Sequence, residues 1–177
     1  MLRWPFHKLV FIDESGVNLL LTRANARAPR GERVVDHVPG RRWDNYSVIA
    51  GLRSTGIIAP MVLRGAMNTD ALLVWVREVL APELRQGDIV VWDNLRIHMD
   101  PEVAAAFAKR RARLEFLPPY SPDLNPIEEA WSKMKSILRS AKARVADALV
   151  QALDDALTSI SPKDCRGWFK HAGYAAT

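Results

Sequence analysis

The hydrophobic pattern divides the chain into short apolar runs near the N-terminus and longer, helically spaced segments after them. Runs rich in β-branched and aromatic residues, typical of buried strands, occur at 8–13, 17–22, 46–52, 57–64, 89–93 and 114–117. Apolar residues at helical spacing predict helices over 69–81, 101–111, 126–139 and 144–159. Strands followed by alternating helices and strands, and then by helices, predict an α/β domain: a mixed sheet with helices on both faces.

Turn and cap residues refine these boundaries. Ser15-Gly16 predicts a turn between the first two runs, and Pro60 predicts an edge position or a bulge in the fourth. Asn125 is expected to cap the third helix. Residues 23–45, rich in Arg and without a steady period, are expected to form an irregular exposed insertion. We therefore predict a single domain over 1–177, interrupted only by this insertion.

Composition adds a preference for an anionic partner. The chain has 177 residues, is 49% hydrophobic and carries a net charge of +5. Most of its cations are Arg, whose guanidinium binds phosphate oxygens in pairs, so a nucleic acid is favoured over a neutral ligand. A single cysteine, Cys165, excludes a disulfide framework and fits a reducing compartment. No apolar run is long enough for a membrane span, and we expect a cytoplasmic protein.

Two acids end predicted strands, which places carboxylates beside the core yet within reach of solvent. Asp13 follows the first apolar run and Asp93 follows the fifth. Such carboxylates on adjacent strands repel each other unless a cation lies between them, and Mg²⁺ or Mn²⁺ prefers oxygen ligands of this kind. A third acid would complete a site for two ions, which suits phosphodiester chemistry. Glu14 is expected to point to the opposite side of the strand from Asp13. Asp123 is expected to cap a turn.

Helical spacing separates two candidates for the third acid. Glu129 precedes Lys133 by four residues, a favourable pair for a solvated helix face. Glu128 shares its helix face with Lys135, seven residues on, which places a cation beside it for phosphate. Glu128 is therefore the predicted third ligand.

Three blocks, at 9–15, 89–98 and 117–135, resemble the catalytic blocks of DDE transposases of the mariner superfamily, in its bacterial insertion-sequence branch. The third block, LPPYSPDLNPIEEAWSKMK, is the most specific. In that group 34 residues separate the second and third acids, and 34 residues lie between Asp93 and Glu128. The resemblance implies a ribonuclease H-like fold of about five strands, the first three antiparallel. It also implies Mg²⁺- or Mn²⁺-dependent cleavage of transposon-end DNA and strand transfer into a TA target, with Asp13, Asp93 and Glu128 as catalytic and metal-binding residues.

The resemblance is to the catalytic half of such proteins. Members usually carry an N-terminal helix-turn-helix region of more than a hundred residues, which has no counterpart in this sequence. The resemblance to the bacterial insertion-sequence branch implies a bacterial protein that associates with the nucleoid when bound to DNA. Its expected partners are double-stranded DNA, a second copy of itself in an active homodimer, and a separate DNA-binding half or full-length transposase. We expect the chain to be either the second frame of a frameshifted element or a truncated remnant.

Several further residues are candidates for DNA contact, each with a plainer alternative. They are Arg41, Arg42, Trp43, Asn94, His98 and Lys135. The first three otherwise belong to a solvated loop, and Lys135 to a solvated helix face. The resemblance places Asn94 and His98 near the acids, positioning a metal ligand or a phosphate; the alternative is a turn Asn and a His bonded to backbone. Trp92 and Trp131 are predicted core residues rather than base-stacking ones.

Three functions remain in competition. The first is an active DDE transposase domain, a nuclease and strand transferase. The second is an inactive remnant or a regulatory module that binds DNA or transposase. The third and weakest is a host nuclease on the same fold, acting on RNA–DNA hybrids or junctions. Metal-dependent cutting of transposon-end DNA, and its loss in Asp93→Ala, separates the first from the others.

Overall fold

The structure is a computed structural model and describes residues 4–22, 27–35, 37 and 44–174. Its strands are β1 Leu9–Asn18, β2 Asn45–Arg53, β3 Gly56–Arg64, β4 Ile89–Trp92 and β5 Arg113–Phe116. Its α-helices are α1 Thr69–Val74, α2 Ala81–Glu83, α3 Pro101–Lys109, α4 Ile127–Ala141, α5 Ala146–Thr158 and α6 Pro162–His171. A π-helical segment, Trp75–Leu80, joins α1 to α2, and short 3₁₀ turns lie at Phe6–Lys8, Arg96–Met99 and Pro122–Leu124.

The five strands form one mixed sheet in the order β3-β2-β1-β4-β5. β1, β2 and β3 pair antiparallel, whereas β4 and β5 run parallel to β1. This arrangement confirms the predicted sheet of five strands with the first three antiparallel. β3 is an edge strand, and the register shift opposite Ile49 and Gly51 is a bulge beside Pro60, so both consequences expected of this proline are met.

Helices cover both faces of the sheet because alternate strand residues point in opposite directions. On one face, Leu9, Phe11 and Val91 pack with Trp131 and other residues of α4, and with α5 and α6. On the other face, the sheet residues Val10, Ile12, Val90 and Trp92 pack with the α1–α2 region and α3. All four residues of β4 are buried, which explains why that run is wholly apolar. Trp92 and Trp131 are core residues, as predicted.

The first strand is longer than the pattern predicted. β1 continues through Ser15 and Gly16, where a turn was expected, and the second strand predicted at 17–22 is wrong. The reason is pairing: the antiparallel register with β2 runs on to Asn18 opposite Asn45. Asp13 therefore lies in the middle of a strand rather than at its end.

The C-terminal region holds a helix that the pattern missed. Ser161 caps α6 in a reciprocal arrangement with Asp164, and Pro162 occupies its first turn. Phe169 of this helix is fully buried and packs edge-on against Phe6 and Phe11. Cys165 is also buried, and burial raises the pKa of its thiol to about 11. Cys165 therefore serves as a small core residue of this helix.

Of the insertion predicted at 23–45, the described residues 27–35 contain neither helix nor strand, and Asn45 begins β2. In the described part of the chain, no helix has both the length and the apolar character needed to cross a membrane.

Candidate active site

Three different elements carry the predicted acids to one place. β1 and β4 are parallel neighbours with Phe11 opposite Val91, so Asp13 and Asp93, each two residues further on, come level at the same side of the sheet. Asp93 directly follows the last residue of β4, and Glu128 lies in the first turn of α4. Acids separated by 79 and 34 intervening residues in sequence are thus neighbours in space.

Asp13, Asp93 and Glu128 line a single cavity of about 430 Å³. The other lining residues are Asn94, Leu95, Leu117, Pro118, Pro119, Tyr120, Ser121, Pro122 and Asn125. A larger, more open cavity of about 950 Å³ lies beside Asn18 and Asn45, but its one lining acid, Asp44, is paired with Arg64. The smaller cavity therefore holds the candidate chemistry.

The three carboxylates share the cavity without closing around an ion. Within the residues that the structure describes, no group of three acid, histidine or cysteine side chains is arranged to hold a metal. Asp93 is instead engaged by His98, and Asp13 by Trp131. A metal would require the side chains to approach one another more closely.

Asp13 is an acid held where its charge is costly. Burial, and then the nearby charge of Glu128, raise the pKa of Asp13 to about 7. The Trp131 indole donates to Asp13 Oδ2 over 3.0 Å, which only partly offsets this rise. Two acids that disfavour each other's charge form a site that a cation would stabilise.

Asp93 has the opposite electrostatic setting. Burial acts to raise its pKa, but the hydrogen bond and charge of His98, with the Leu95 N–H, outweigh burial and lower it. His98 Nδ1 lies 2.5 Å from Asp93 Oδ1, and His98 Nε2 lies 3.3 Å from Glu14 Oε1. Burial lowers the pKa of His98, yet these two carboxylates raise it to about 9, so both ring nitrogens donate.

His98 faces the protein interior rather than the solvent. The residue is fully buried and its ring stacks on Trp92, with centroids 3.9 Å apart. This placement fits positioning of the metal ligand and leaves no exposed ring nitrogen for a phosphate. Asn94, in contrast, is exposed and lines the cavity.

The structure separates Glu128 from Glu129 as expected, although not by the predicted ion pair. Glu128 is exposed on the cavity wall, while Glu129 faces α6 and lies 3.3 Å from His171 Nδ1. The predicted Glu129–Lys133 pair is wrong, because Lys133 Nζ binds Asp164 at 2.8 Å and the Ser159 carbonyl at 2.9 Å. Tertiary contacts with α6 and with the end of α5 therefore replace the expected contact between Lys133 and Glu129.

Asn125 and Tyr120 differ from their sequence-based interpretation. Asn125 was expected to cap α4, but its side chain makes no cap hydrogen bond, and its Oδ1 is buried without a partner in the described chain. Only its carbonyl serves the helix, accepting from Glu128 N–H at 3.1 Å. Tyr120, not considered from the sequence, has a left-handed backbone (φ 56°) and a fully exposed side chain on the cavity rim. Pro118, Pro119 and Pro122 flank Tyr120, and this run of prolines was the sequence feature that could have indicated an irregular, exposed loop.

The remaining candidates lie elsewhere. Lys135 lies about two helical turns after Glu128 on the same face of α4. It is half-buried and is not part of the cavity wall. Arg41, Arg42 and Trp43 fall outside the described residues.

Comparison with known proteins decides the family. Residues 8–150 match the model of the DDE superfamily endonucleases. The chain belongs to this family. Among its relatives is the transposable element Tc1 transposase of Caenorhabditis elegans. The two sequences are 31% identical across 98% of this chain and 72% of the relative. The Tcb1 transposase of Caenorhabditis briggsae is 32% identical across 46% of this chain and 34% of the relative.

Solved structures show the same fold. The Mos1 mariner paired end complex with Mn superposes with a TM-score of 0.77 at 18% identity, over 96% of this chain and 54% of that one. The Mos1 strand transfer complex gives 0.74 at 18% identity, over 95% and 52%. The Mos1 catalytic domain gives 0.65 at 15% identity, over 96% and 79%. This DDE endonuclease domain therefore has the ribonuclease H-like fold, and it spans about half the length of the chains in the Mos1 complexes.

Proposed function

We propose that this chain is the catalytic domain of a DDE transposase that cleaves phosphodiesters at transposon-end DNA and transfers the cut strand to a target. The observation that carries the proposal is the meeting of Asp13, Asp93 and Glu128 in one cavity of a DDE-family chain. The family relationship supplies the expected roles, and the cavity supplies a place for a phosphate beside three carboxylates.

The residues at the cavity fit a divalent metal. Carboxylate oxygens are the ligands that Mg²⁺ and Mn²⁺ prefer, and Asp13 with Glu128 forms a mutually repelling pair. Asp13, Asp93 and Glu128 would hold two ions, which polarise the scissile phosphate and activate the attacking oxygen. The carboxylates would have to draw together when ions and DNA bind.

Residues around the acids would orient the DNA. Asn94 offers an exposed amide at the cavity, and Lys135 extends the α4 face beyond Glu128 toward a phosphate backbone. Tyr120 offers an exposed ring on which a base can stack. Arg41, Arg42 and Trp43 are proposed as further DNA contacts. His98 would act on the site from behind, through Asp93.

We further propose the finer assignments that the resemblance of the three sequence blocks implies. They are membership of the bacterial insertion-sequence branch, insertion at TA, action as a homodimer, and cooperation with a helix-turn-helix DNA-binding half. The expected cellular site is the bacterial cytoplasm, at the nucleoid when DNA is bound.

The experiment is a strand-cleavage assay on DNA carrying the element's terminal repeats, with the chain alone and with an added helix-turn-helix half. Cleavage should require Mg²⁺ or Mn²⁺ and should be abolished in Asp93→Ala. Glu129→Ala is the matched control, because that acid lies beside Glu128 but faces α6. Unchanged cleavage in Asp93→Ala contradicts the proposal. DNA binding without cutting under any metal condition favours the regulatory module instead.

A further inference from the structure

A fourth acid reaches the candidate site from the opposite face of the sheet. Glu14 follows Asp13 in β1, so its side chain points away from the cavity. Its Oε1 lies 3.3 Å from His98 Nε2, and the other ring nitrogen, Nδ1, lies 2.5 Å from Asp93 Oδ1. One imidazole thus joins Glu14 to a predicted metal ligand across the end of β4.

The ring that makes this link is fixed by packing. His98 is fully buried, and it stacks on Trp92 at 3.9 Å with an interplanar angle of 18°. Trp92 is itself wholly buried and packs edge-on against Trp75. Within the described chain, the two carboxylates are the polar partners of the ring side chain. The imidazole therefore holds one orientation, set by the stack and by its two acceptors.

Asp93 needs such a support because regular structure ends before it. β4 finishes at Trp92, so the carboxylate of Asp93 extends from a loop rather than from the hydrogen-bonded ladder. His98 and the Leu95 N–H, at 3.3 Å, both donate to Oδ1. With Oδ1 engaged on this side, the rotation of the carboxyl group is set and the group is presented to the cavity.

We propose that Glu14 is a positioning residue, which acts through His98 to hold Asp93 in the orientation that receives the metal. The inference rests on the proposed function, since it assumes that Asp93 binds a metal. Glu14 would contact neither the metal nor the DNA, because its side chain points to the face of the sheet opposite the cavity. Hydrogen-bonded partners behind a metal ligand fix its orientation, and their loss commonly weakens metal binding about 10–100-fold.

The test is Mn²⁺ affinity, measured by isothermal titration on the full chain. Glu14→Ala should weaken Mn²⁺ binding by about 10–100-fold. Glu14→Gln should restore most of the affinity, because its amide oxygen accepts the same N–H. His98→Ala should weaken binding similarly, and the double variant Glu14→Ala/His98→Ala should be no weaker than His98→Ala alone, because the two residues act in series.

Glu115→Ala is the matched control, since Glu115 pairs with Arg113 on β5 and does not line the cavity. Its Mn²⁺ affinity should equal that of the wild type. If Glu14→Ala unfolds at the assay temperature, Glu14→Asp keeps the charge but shortens the reach to His98 and should show a partial loss of affinity.

Two results would overturn the inference. One is a wild-type Mn²⁺ affinity in Glu14→Ala; a lowered thermal midpoint in the same variant would then make the contact a structural one. The other is additive losses in the double variant. Either result leaves the proposed function intact provided that Glu128→Ala loses Mn²⁺. If the wild type binds no Mn²⁺, or Glu128→Ala binds it normally, the proposed function fails as well.

Discussion

Asp13 and Asp93 are chemically identical residues that the fold places in opposite electrostatic settings. Asp13 is half-buried within β1, and this burial, and then the nearby charge of Glu128, raise its pKa to about 7. Asp93 is beside His98, which lowers its pKa. In the absence of a metal, ionised Asp13 therefore destabilises the fold and ionised Asp93 stabilises it. The candidate metal site therefore lowers the stability of the fold at Asp13 and raises it at Asp93.

The two Asn variants should therefore shift stability in opposite directions in EDTA. The folded pKa of Asp13 lies above its unfolded value of about 3.9, so stability falls as pH rises from about 4 to 7. At pH 8, Asp13→Asn should raise the thermal midpoint by a few degrees, and the gain should disappear near pH 4. Asp93→Asn should lower the midpoint at pH 8, because it removes a charge that His98 stabilises. Thermal unfolding monitored at each pH measures these midpoints. Equal shifts of the two midpoints in the same direction would contradict the opposite electrostatic settings of Asp13 and Asp93.

The sequence predicted three acids that line one cavity, but it predicted the contacts around them less well. Apolar runs ending near Asp13 and Asp93, and the spacing to Glu128, were sufficient to choose three acids that share a cavity. The resemblance placed His98 near the acids, but its contact with Glu14 was not predictable, because that contact joins residues 84 positions apart through a ring whose packing depends on Trp92. Nothing local in the sequence distinguishes a buried bridging histidine from an exposed one.

At the scale of elements, local pattern failed where long-range pairing decides the outcome. The expected turn at Ser15-Gly16 lies inside β1, because β2 supplies a partner for each of these residues. The missed helix α6 is short and polar on average, and its capping box at Ser161 and Asp164 was the overlooked signal. The segments 89–93 and 126–139 were placed well because strong apolar runs and Pro126 mark them.

One buried ion pair connects the end of β2 to the start of β4. Arg53, the last residue of β2, binds both carboxylate oxygens of Asp88, just before β4, at 3.1 and 2.5 Å. Both side chains are only 5% and 4% exposed. Arg53→Ala should lower the free energy of unfolding by about 3–5 kcal/mol, because Asp88 is left buried and unpaired. Urea denaturation measures this change.

Arg64 is the matched control for that prediction. It ends β3 and pairs with Asp44, but its side chain is 71% exposed. Arg64→Ala should cost no more than about 1 kcal/mol. If both variants cost the same, burial does not decide the strength of these pairs, and the anchoring role given to Arg53 is wrong.

At the scale of the whole molecule, the fold explains why acids so distant in sequence meet. Parallel pairing of β1 with β4 brings Asp13 level with Asp93, and packing of α4 on the sheet through Trp131 brings Glu128 to the same cavity. The side chains as they stand do not enclose an ion. We therefore infer that a divalent cation draws the three carboxylates together.

Anomalous diffraction from crystals soaked in Mn²⁺ tests this claim most directly. We predict a Mn²⁺ peak in the cavity with carboxylate oxygens of Asp13, Asp93 and Glu128 as ligands. The peak should persist in Glu129→Ala and be lost in Glu128→Ala. A saturating soak that leaves the cavity without Mn²⁺, or places the ion on Glu129 instead of Glu128, would contradict the account.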